Sequence, residues 1–139
     1  MSVLINDDGF HADDWDRGFV AVDALPANEG GGVVSVDLPS DADLASLGNR
    51  LIGADIIRID FPSFADGRGF TLAAQLRRLG FQGRLRAKGH VIADQYPMAR
   101  RSGFDEVEIS DDLAARQPVD QWLARANWRA HDYQARMRG

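Results

Sequence analysis

The sequence predicts an α/β fold with four βα units and a mostly parallel sheet, arranged as a TIM-barrel-like half barrel after a short N-terminal β hairpin. Strand-like and helix-like segments alternate from residue 33 onward, at a spacing of roughly 25 residues that is typical of parallel βαβ units. Each strand-like segment also alternates apolar with polar or charged side chains. With 139 residues we expect a single domain, consisting of an N-terminal β extension over 1–25 and a βα core over 33–139.

The N-terminal part of the chain has the pattern of a small antiparallel unit. We predict a short strand over 3–5, a turn over 6–9 and a second strand over 19–22. The stretch 26–32 contains three consecutive glycines, which indicates a flexible joint. This joint connects the hairpin to the βα core.

The core is predicted to contain four strands, each followed by a helix. Gly80 and Gly103 are placed where helices commonly stop, and Pro97 predicts a kink or break inside the third helix. The predicted strands are 33–37, 56–60, 84–88 and 106–109, and the predicted helices are 41–52, 70–79, 91–102 and 119–136.

One face of every predicted strand is polar. Because side chains alternate along a strand, the charged residues share a face opposite the apolar ones. The strands of a doubly wound sheet are covered on both sides and are apolar nearly throughout. Helices on one face only therefore fit better, with a flavodoxin-like doubly wound sheet as the alternative. Two other interpretations of the charged residues remain open. The strand 84–88 is an exposed sheet edge whose charges prevent aggregation, or a dimer buries the polar face. The charged residues that define this face are Arg58, Arg84, Arg86, Glu106 and Glu108.

Composition excludes several functional classes. The chain has no cysteine, which removes disulfides and thiol catalysis, and the net charge of -5 argues against a general nucleic-acid surface. No apolar run approaches the roughly 20 residues that span a bilayer, so we expect no membrane association and a cytoplasmic protein. No flavin, nicotinamide or haem fingerprint is present, and we expect no cofactor. An open sheet leaves unpaired edges, so a homo-oligomer is expected.

The loop Asp66-Gly67-Arg68-Gly69 lies between a predicted strand and a predicted helix. Ligands of parallel α/β folds gather at the carboxyl ends of strands. Glycines let backbone N–H groups approach an anion at a helix start, and an arginine fork can clamp it. The loop therefore predicts a small-anion site at the carboxyl ends of the second and third predicted strands, where Lys88 is a ligand-binding candidate as the second cation. The alternative is a tight turn in which Asp66 caps the helix or holds Arg68.

Further candidate residues lie on the same predicted rim. Lys88 ends a strand, His90 follows it, and Asp60 ends the neighbouring strand, so these three are candidates for proton transfer. Asp94 and Gln95 open the next helix, where a carboxylate is favoured by the helix dipole. No ligand spacing typical of a metal site occurs, and we expect no metal.

Four segments resemble a bacterial family, the domain of unknown function 934. They are 59–70, 76–87, 89–95 and 101–105, and the first and third contain the paired signature Phe-x-Asp-Gly-Arg-Gly and Asp-Gln. Members commonly carry arginine before the Asp-Gln pair, where this chain has Ala93. The resemblance carries over, as ligand-binding candidates, to Asp66, Gly67, Arg68, Gly69, Asp94 and Gln95.

The resemblance implies a role in sulfur metabolism, because members are typically encoded beside sulfite reductase and phosphoadenylyl-sulfate reductase. We expect an accessory protein of assimilatory sulfate and sulfite reduction that binds an oxyanion, a nucleotide sulfate or one of those reductases. Members are often labelled as oxidoreductases of sulfite reduction. The alternative is a small enzyme that uses Asp60, Lys88 and His90 for acid-base chemistry.

Overall fold

A computed structural model describes residues 2–15, 18–21, 35–45 and 51–126 of the chain. The strands are β1 (Ser2–Asn6), β2 (Gly9–His11), β3 (Val20–Ala21), β4 (Ser35–Leu38), β5 (Ile56–Phe61), β6 (Arg84–Gly89) and β7 (Glu106–Ser110). The helices are α1 (Arg68–Leu79), α2 (Tyr96–Ser102), α3 (Asp111–Arg116) and α4 (Val119–Leu123), and a short 3-10 turn over Ala93–Gln95 precedes α2.

Within these residues the strands form one seven-stranded sheet in the order β2-β1-β7-β6-β5-β4-β3. The strands from β3 to β7 are parallel, and β1 pairs antiparallel with β2 and β7. The predicted mixed α/β fold with a mostly parallel sheet is therefore confirmed. The strands β4 to β7 neighbour one another in chain order, as the βαβ rhythm predicts.

The N-terminal hairpin differs from the prediction in its second strand. The partner of β1 is β2, which pairs Asn6 with Gly9 across a tight turn. Asn6 Oδ1 accepts a hydrogen bond of 2.8 Å from the backbone N–H of Asp8, which stabilises that turn locally. Because this short turn already pairs β1, the segment predicted as its partner is free to pair elsewhere. Its described part, β3, lies parallel to β4 at the opposite edge of the sheet.

The helix stops predicted from glycine are confirmed. Gly80 and Gly103 end α1 and α2 with φ values of 107° and 117°, in the left-handed region that glycine adopts without a Cβ clash. The predicted break at Pro97 is also present. Residues 93–95 form the 3-10 turn, and Pro97 lies in the first turn of α2, where its missing N–H is not needed. The predicted helix 41–52 and the joint 26–32 lie wholly or partly outside the described residues.

The C-terminal part contains two short helices instead of the predicted long one. Ser110 Oγ accepts from the backbone N–H of Leu113 at 3.2 Å and caps α3, which the sequence analysis missed. Helix α4 begins at Val119, as predicted for the helix 119–136, but it ends at Leu123 and residues 124–126 are not helical, so the predicted continuation over 124–126 is wrong. Trp122 anchors α4 to the core, because its ring is buried and its indole N–H donates to the carbonyl of Gln117 at 3.0 Å.

The hydrophobic core lies between the sheet and its helices. Side chains from alternate positions of β5, β6 and β7 meet the buried faces of α1 and α2. Apolar residues recur at every second position in the strands and at helical spacing in α1. Each element therefore presents one apolar face to the other. The central members of this core are Ile57, Ile59, Leu85, Ala87, Val107, Leu72, Ala73, Leu76 and Ala99.

The polar face of the sheet is covered by irregular N-terminal chain, of which residues 12–15 and 18–19 are described. The Phe19 ring centre lies 3.8 Å from the guanidinium carbon of Arg58, a cation–π contact. Asp14 accepts from Arg84 at 2.6 Å, and this hydrogen bond from Arg84 lowers the pKa of Asp14. Asp13 accepts from Arg86 at 3.2 Å. The polar residues therefore share one face, as predicted, and the described part of its cover is not helical.

Gly69 is required for packing in α1. A Cβ at this position would lie 2.5 Å from Cζ of Phe61, whereas a Cβ at Gly67 meets nothing closer than 3.9 Å. We predict that Gly69→Ala lowers the free energy of unfolding by about 1–3 kcal/mol through overpacking. The control Gly67→Ala should be neutral or slightly stabilising. Urea unfolding of both variants tests this, and equal effects would contradict the packing role.

Arg86 is the buried charge that holds the polar face together. Its side chain is 0% exposed, whereas that of Arg84 is 30% exposed. We predict that Arg86→Met lowers the free energy of unfolding by about 3–5 kcal/mol, because buried carboxylates lose their partner. Arg84→Met should cost about 1 kcal/mol, since its ion pairs are partly solvated. Denaturant unfolding compares the two, and a larger loss for Arg84→Met would contradict this ranking.

Candidate functional site

The carboxyl ends of the parallel strands form a polar edge with two cavities. Lys88, near the end of β6, lines both of them. The first cavity has a volume of about 410 Å³ and is also lined by Asp37, Arg58 and Asp60. The second has a volume of about 510 Å³ and lies toward β7 and α3. These volumes fall within the range of small-molecule sites.

Lys88 differs from the other cations of the polar face. It is exposed, and its ammonium forms no hydrogen bond or ion pair with any described part of the chain. In register it faces Asp60 on β5 and Glu108 on β7. It is also the only lysine in the sequence, a signal that the sequence analysis did not use. Lysine and arginine are not interchangeable, because an ammonium is a compact point charge with three donors.

The arginines next to Lys88 are already occupied by carboxylates. Arg58 donates to both carboxylate oxygens of Asp37, at 2.6 and 2.8 Å, and to Glu108 at 3.2 Å. Arg86 donates to Glu106 at 2.6 Å and to Glu108 at 2.9 Å. Glu108 therefore has two guanidinium partners. Its charge is compensated without Lys88.

The loop Asp66–Gly69, which the sequence predicts as an anion site, is held by hydrogen bonds between its own residues Asp66 and Arg68. Both carboxylate oxygens of Asp66 accept from the Arg68 guanidinium, at 3.0 and 2.8 Å, and one also accepts from the Arg68 backbone N–H at 3.1 Å. The hydrogen bond from the Arg68 side chain is the main reason that the pKa of Asp66 lies well below its usual range. Arg68 also donates to Ser40 Oγ at 3.1 Å. Nε and Nη2 of the Arg68 guanidinium are thus bonded within the protein, and the Arg68 side chain lines neither cavity.

Asp94 and Gln95 also have structural partners. Asp94 forms an ion pair of 2.5 Å with Arg125. Gln95 Oε1 accepts from the backbone N–H of Ile92, and its Nε2 donates to the carbonyl of Phe64, each at 3.0 Å. The Gln95 side chain therefore ties the loop after β5 to the turn after β6. This latch shapes the edge without placing the amide in either cavity.

The three candidate proton-transfer residues are divided between the cavities. Asp60 lines the first, His90 lines the second, and Lys88 lies between them. His90 Nδ1 lies 3.3 Å from the carbonyl oxygen of Phe61, and its ring meets that of Phe64 edge to face at 5.2 Å. The structure brings Asp60 and Lys88 together on adjacent strands. It does not bring all three residues into one cavity.

Sequence reasoning missed two residues of the second cavity. Phe64 is 43% exposed, and Arg116, the last residue of α3, is also exposed. Phe64 lies inside the signature segment 59–70, which could have drawn attention to it. Arg116 had no local signal, because α3 itself was not predicted.

The described residues contain neither a metal-binding cluster nor a membrane-spanning helix. No group of three or more histidine, aspartate or glutamate side chains there is arranged to hold a metal ion. None of the helices described is long and apolar enough to cross a membrane.

The comparison with known families agrees with the resemblance noted in the sequence. The model of a family described as bacterial protein of unknown function (DUF934) matches residues 35–139, which contain the strands β4 to β7 and the whole edge from Asp37 to Arg116. Neither the curated proteins nor the solved structures contain a significant match. The family match covers most of the chain, and the protein therefore belongs to the DUF934 family.

Proposed function

We propose that this protein binds a small oxyanion at Lys88 and acts as a non-catalytic accessory protein of assimilatory sulfate and sulfite reduction. The observation that supports this is the position of Lys88 on the wall between two cavities, with an ammonium that has no side-chain partner among the described residues. A cation that is left unpaired at the carboxyl edge of a parallel sheet is well placed to bind an anion.

The surrounding charges favour the side of Lys88 that faces the second cavity. Asp60 lines the first cavity and would repel an anion there. In the second cavity, Glu108 is compensated by its two arginines, while Arg116 adds a second cation. Asp112 is the remaining carboxylate of that lining. An oxyanion on this side gains two cations against one uncompensated acid.

The metabolic role rests on the resemblance. Sulfite and sulfate are small oxyanions of the class that this site would accept, and sulfite reductase and phosphoadenylyl-sulfate reductase are the proposed protein partners. A homo-oligomer is also proposed, because the described sheet has the short strands β2 and β3 at its edges. Affinity capture from cells starved for sulfate, with light scattering of the purified protein, tests these partners.

We also propose the half barrel as the finer arrangement of the fold. Its support is the difference between the two faces of the sheet. The apolar face packs against α1 and α2, while the polar face is covered by irregular chain that includes Phe19. A flavodoxin-like sheet would place helices against both faces.

A small enzyme is the second candidate. Asp60 and Lys88 face each other across β5 and β6 and line the same cavity, which is an arrangement suited to proton transfer. The two functions differ in stoichiometry. An accessory protein should change the rate of a sulfite reductase assay in proportion to the amount of complex that it forms with the reductase. Asp60→Asn should leave that change in rate unaffected. An enzyme should act at a small fraction of the reductase concentration and lose its effect in Asp60→Asn.

Lys88→Met should weaken the binding of sulfate and sulfite, because it removes the unpaired ammonium and keeps the length of the side chain. The expected loss is about 1.5–3 kcal/mol, the scale of a hydrogen bond to a charged group. Calorimetric titration measures it. Arg68→Met and Arg101→Met are the controls, since each removes one positive charge elsewhere. Equal affinity in wild type and Lys88→Met would contradict the proposal.

Anion binding at Lys88 can be tested independently by chemical labelling, because Lys88 is the only lysine in the sequence. Amine acylation followed by peptide mass mapping reports its accessibility separately from the N-terminus. Sulfate or sulfite should slow acylation at Lys88. Unchanged labelling at saturating anion would place the binding site elsewhere.

A further inference from the structure

The second cavity combines charge with an exposed aromatic ring. Lys88 and Arg116 supply positive charge, and Phe64 supplies a flat apolar surface that is 43% exposed. Leu113 and the buried Ile109 add apolar lining. A bare inorganic anion would use the two cations and leave the aromatic and aliphatic parts of a cavity of about 510 Å³ without a partner.

The Phe64 ring is held in place by its neighbours. The carbonyl of Phe64 accepts the hydrogen bond of 3.0 Å from Gln95 Nε2, which fixes the backbone beside the cavity. His90 meets the ring edge to face, with the ring planes at 90°. A ring held in this way loses little conformational entropy when a planar group stacks on it. An exposed phenylalanine on a flexible loop would lack this advantage.

The charges of the cavity are suited to a compact anionic group. Glu108 is bonded to Arg58 and Arg86, so the face that it presents to the cavity is compensated. Lys88 and Arg116 have no ion-pair partner in the part of the chain that is described, and Asp112 opposes them. This leaves a net positive lining beside the aromatic ring.

We propose that the ligand of this site is an organic anion with a flat aromatic ring, its charged group at Lys88 and Arg116 and its ring on Phe64. This inference rests on the proposed anion site and specifies the class of ligand that it accepts. Phosphate and sulfate esters of aromatic or heteroaromatic compounds have the required chemistry. Stacking on an aromatic side chain contributes independently of the anionic contact.

Phenyl phosphate and inorganic phosphate are matched probes, since they share the anionic group and differ in the ring. Wild-type protein should bind phenyl phosphate about tenfold tighter than inorganic phosphate in calorimetric titrations, the factor expected for one stacked ring. Phe64→Leu should remove this preference while leaving the affinity for inorganic phosphate unchanged. The substitution keeps the backbone carbonyl that holds Gln95. Met98→Leu, at an exposed apolar position outside the cavity, is the control.

Arg116→Gln should weaken both probes by a similar factor of about ten, with Arg101→Gln as the control for the lost charge. Equal affinity of wild type for the two probes, with both weakened by Lys88→Met, would overturn the aromatic class and leave the oxyanion site intact. A preference for phenyl phosphate that survives Phe64→Leu would also overturn it. Binding of neither probe would overturn this inference together with the proposed function.

Discussion

The structure depends on the compensation of one buried positive charge, the guanidinium of Arg86, by carboxylates. Arg86 lies in the middle of the sheet with a fully buried side chain, and an uncompensated charge there would cost several kcal/mol. Glu106 and Glu108 of β7 accept from it, and Asp13 approaches from the N-terminal chain. Its remaining nitrogen, Nη2, has no hydrogen-bond partner in the described chain and lies 3.8 Å from Asp14. These contacts fix the β6–β7 register, because a slip of one residue would turn Arg86 into the apolar core.

The polar face carries two kinds of positive charge. Its arginines are paired with carboxylates, whereas Lys88 has no ion-pair partner among the described residues. In the middle of the polar face, each arginine is bonded to carboxylates, and Phe19 lies over Arg58. Toward the carboxyl edge, the same row ends in Lys88, whose neighbour Glu108 is already shared by two arginines. The network therefore satisfies Glu108, one of the two carboxylates that face Lys88 in register, while the other, Asp60, lines the first cavity. The ion pairs deeper in the sheet thus occupy Glu108, and Lys88 at the edge has no ion-pair partner among the described residues.

The signature loops form part of the wall of the candidate site, and the cations Lys88 and Arg116 lie outside them. Asp66 holds Arg68 and the first N–H of α1, and Gly69 makes room for Phe61. Gln95 ties the turn after β6 to the carbonyl of Phe64. Each contact is local or bridges adjacent loops, so its effect is to fix the shape of the edge. A short sequence signature can thus encode the position of a site whose charged groups lie outside it.

The sequence by itself determined the strands of the core, their polar face and the glycine ends of α1 and α2. These properties are local, because alternation along a strand and a left-handed glycine depend on a few consecutive residues. The tertiary structure alone decided which charges remain available. The sequence predicts Arg68 and Lys88 together as the cations of an anion site, but Arg68 is bonded to Asp66, two positions away, while Lys88 has no ion-pair partner among the described residues. The pairing of β1 with β7 and of Asp13 with Arg86 joins residues far apart in the chain. Each residue in such a contact has many possible partners elsewhere in the chain. The pattern of residues next to it in the sequence does not determine which partner it contacts.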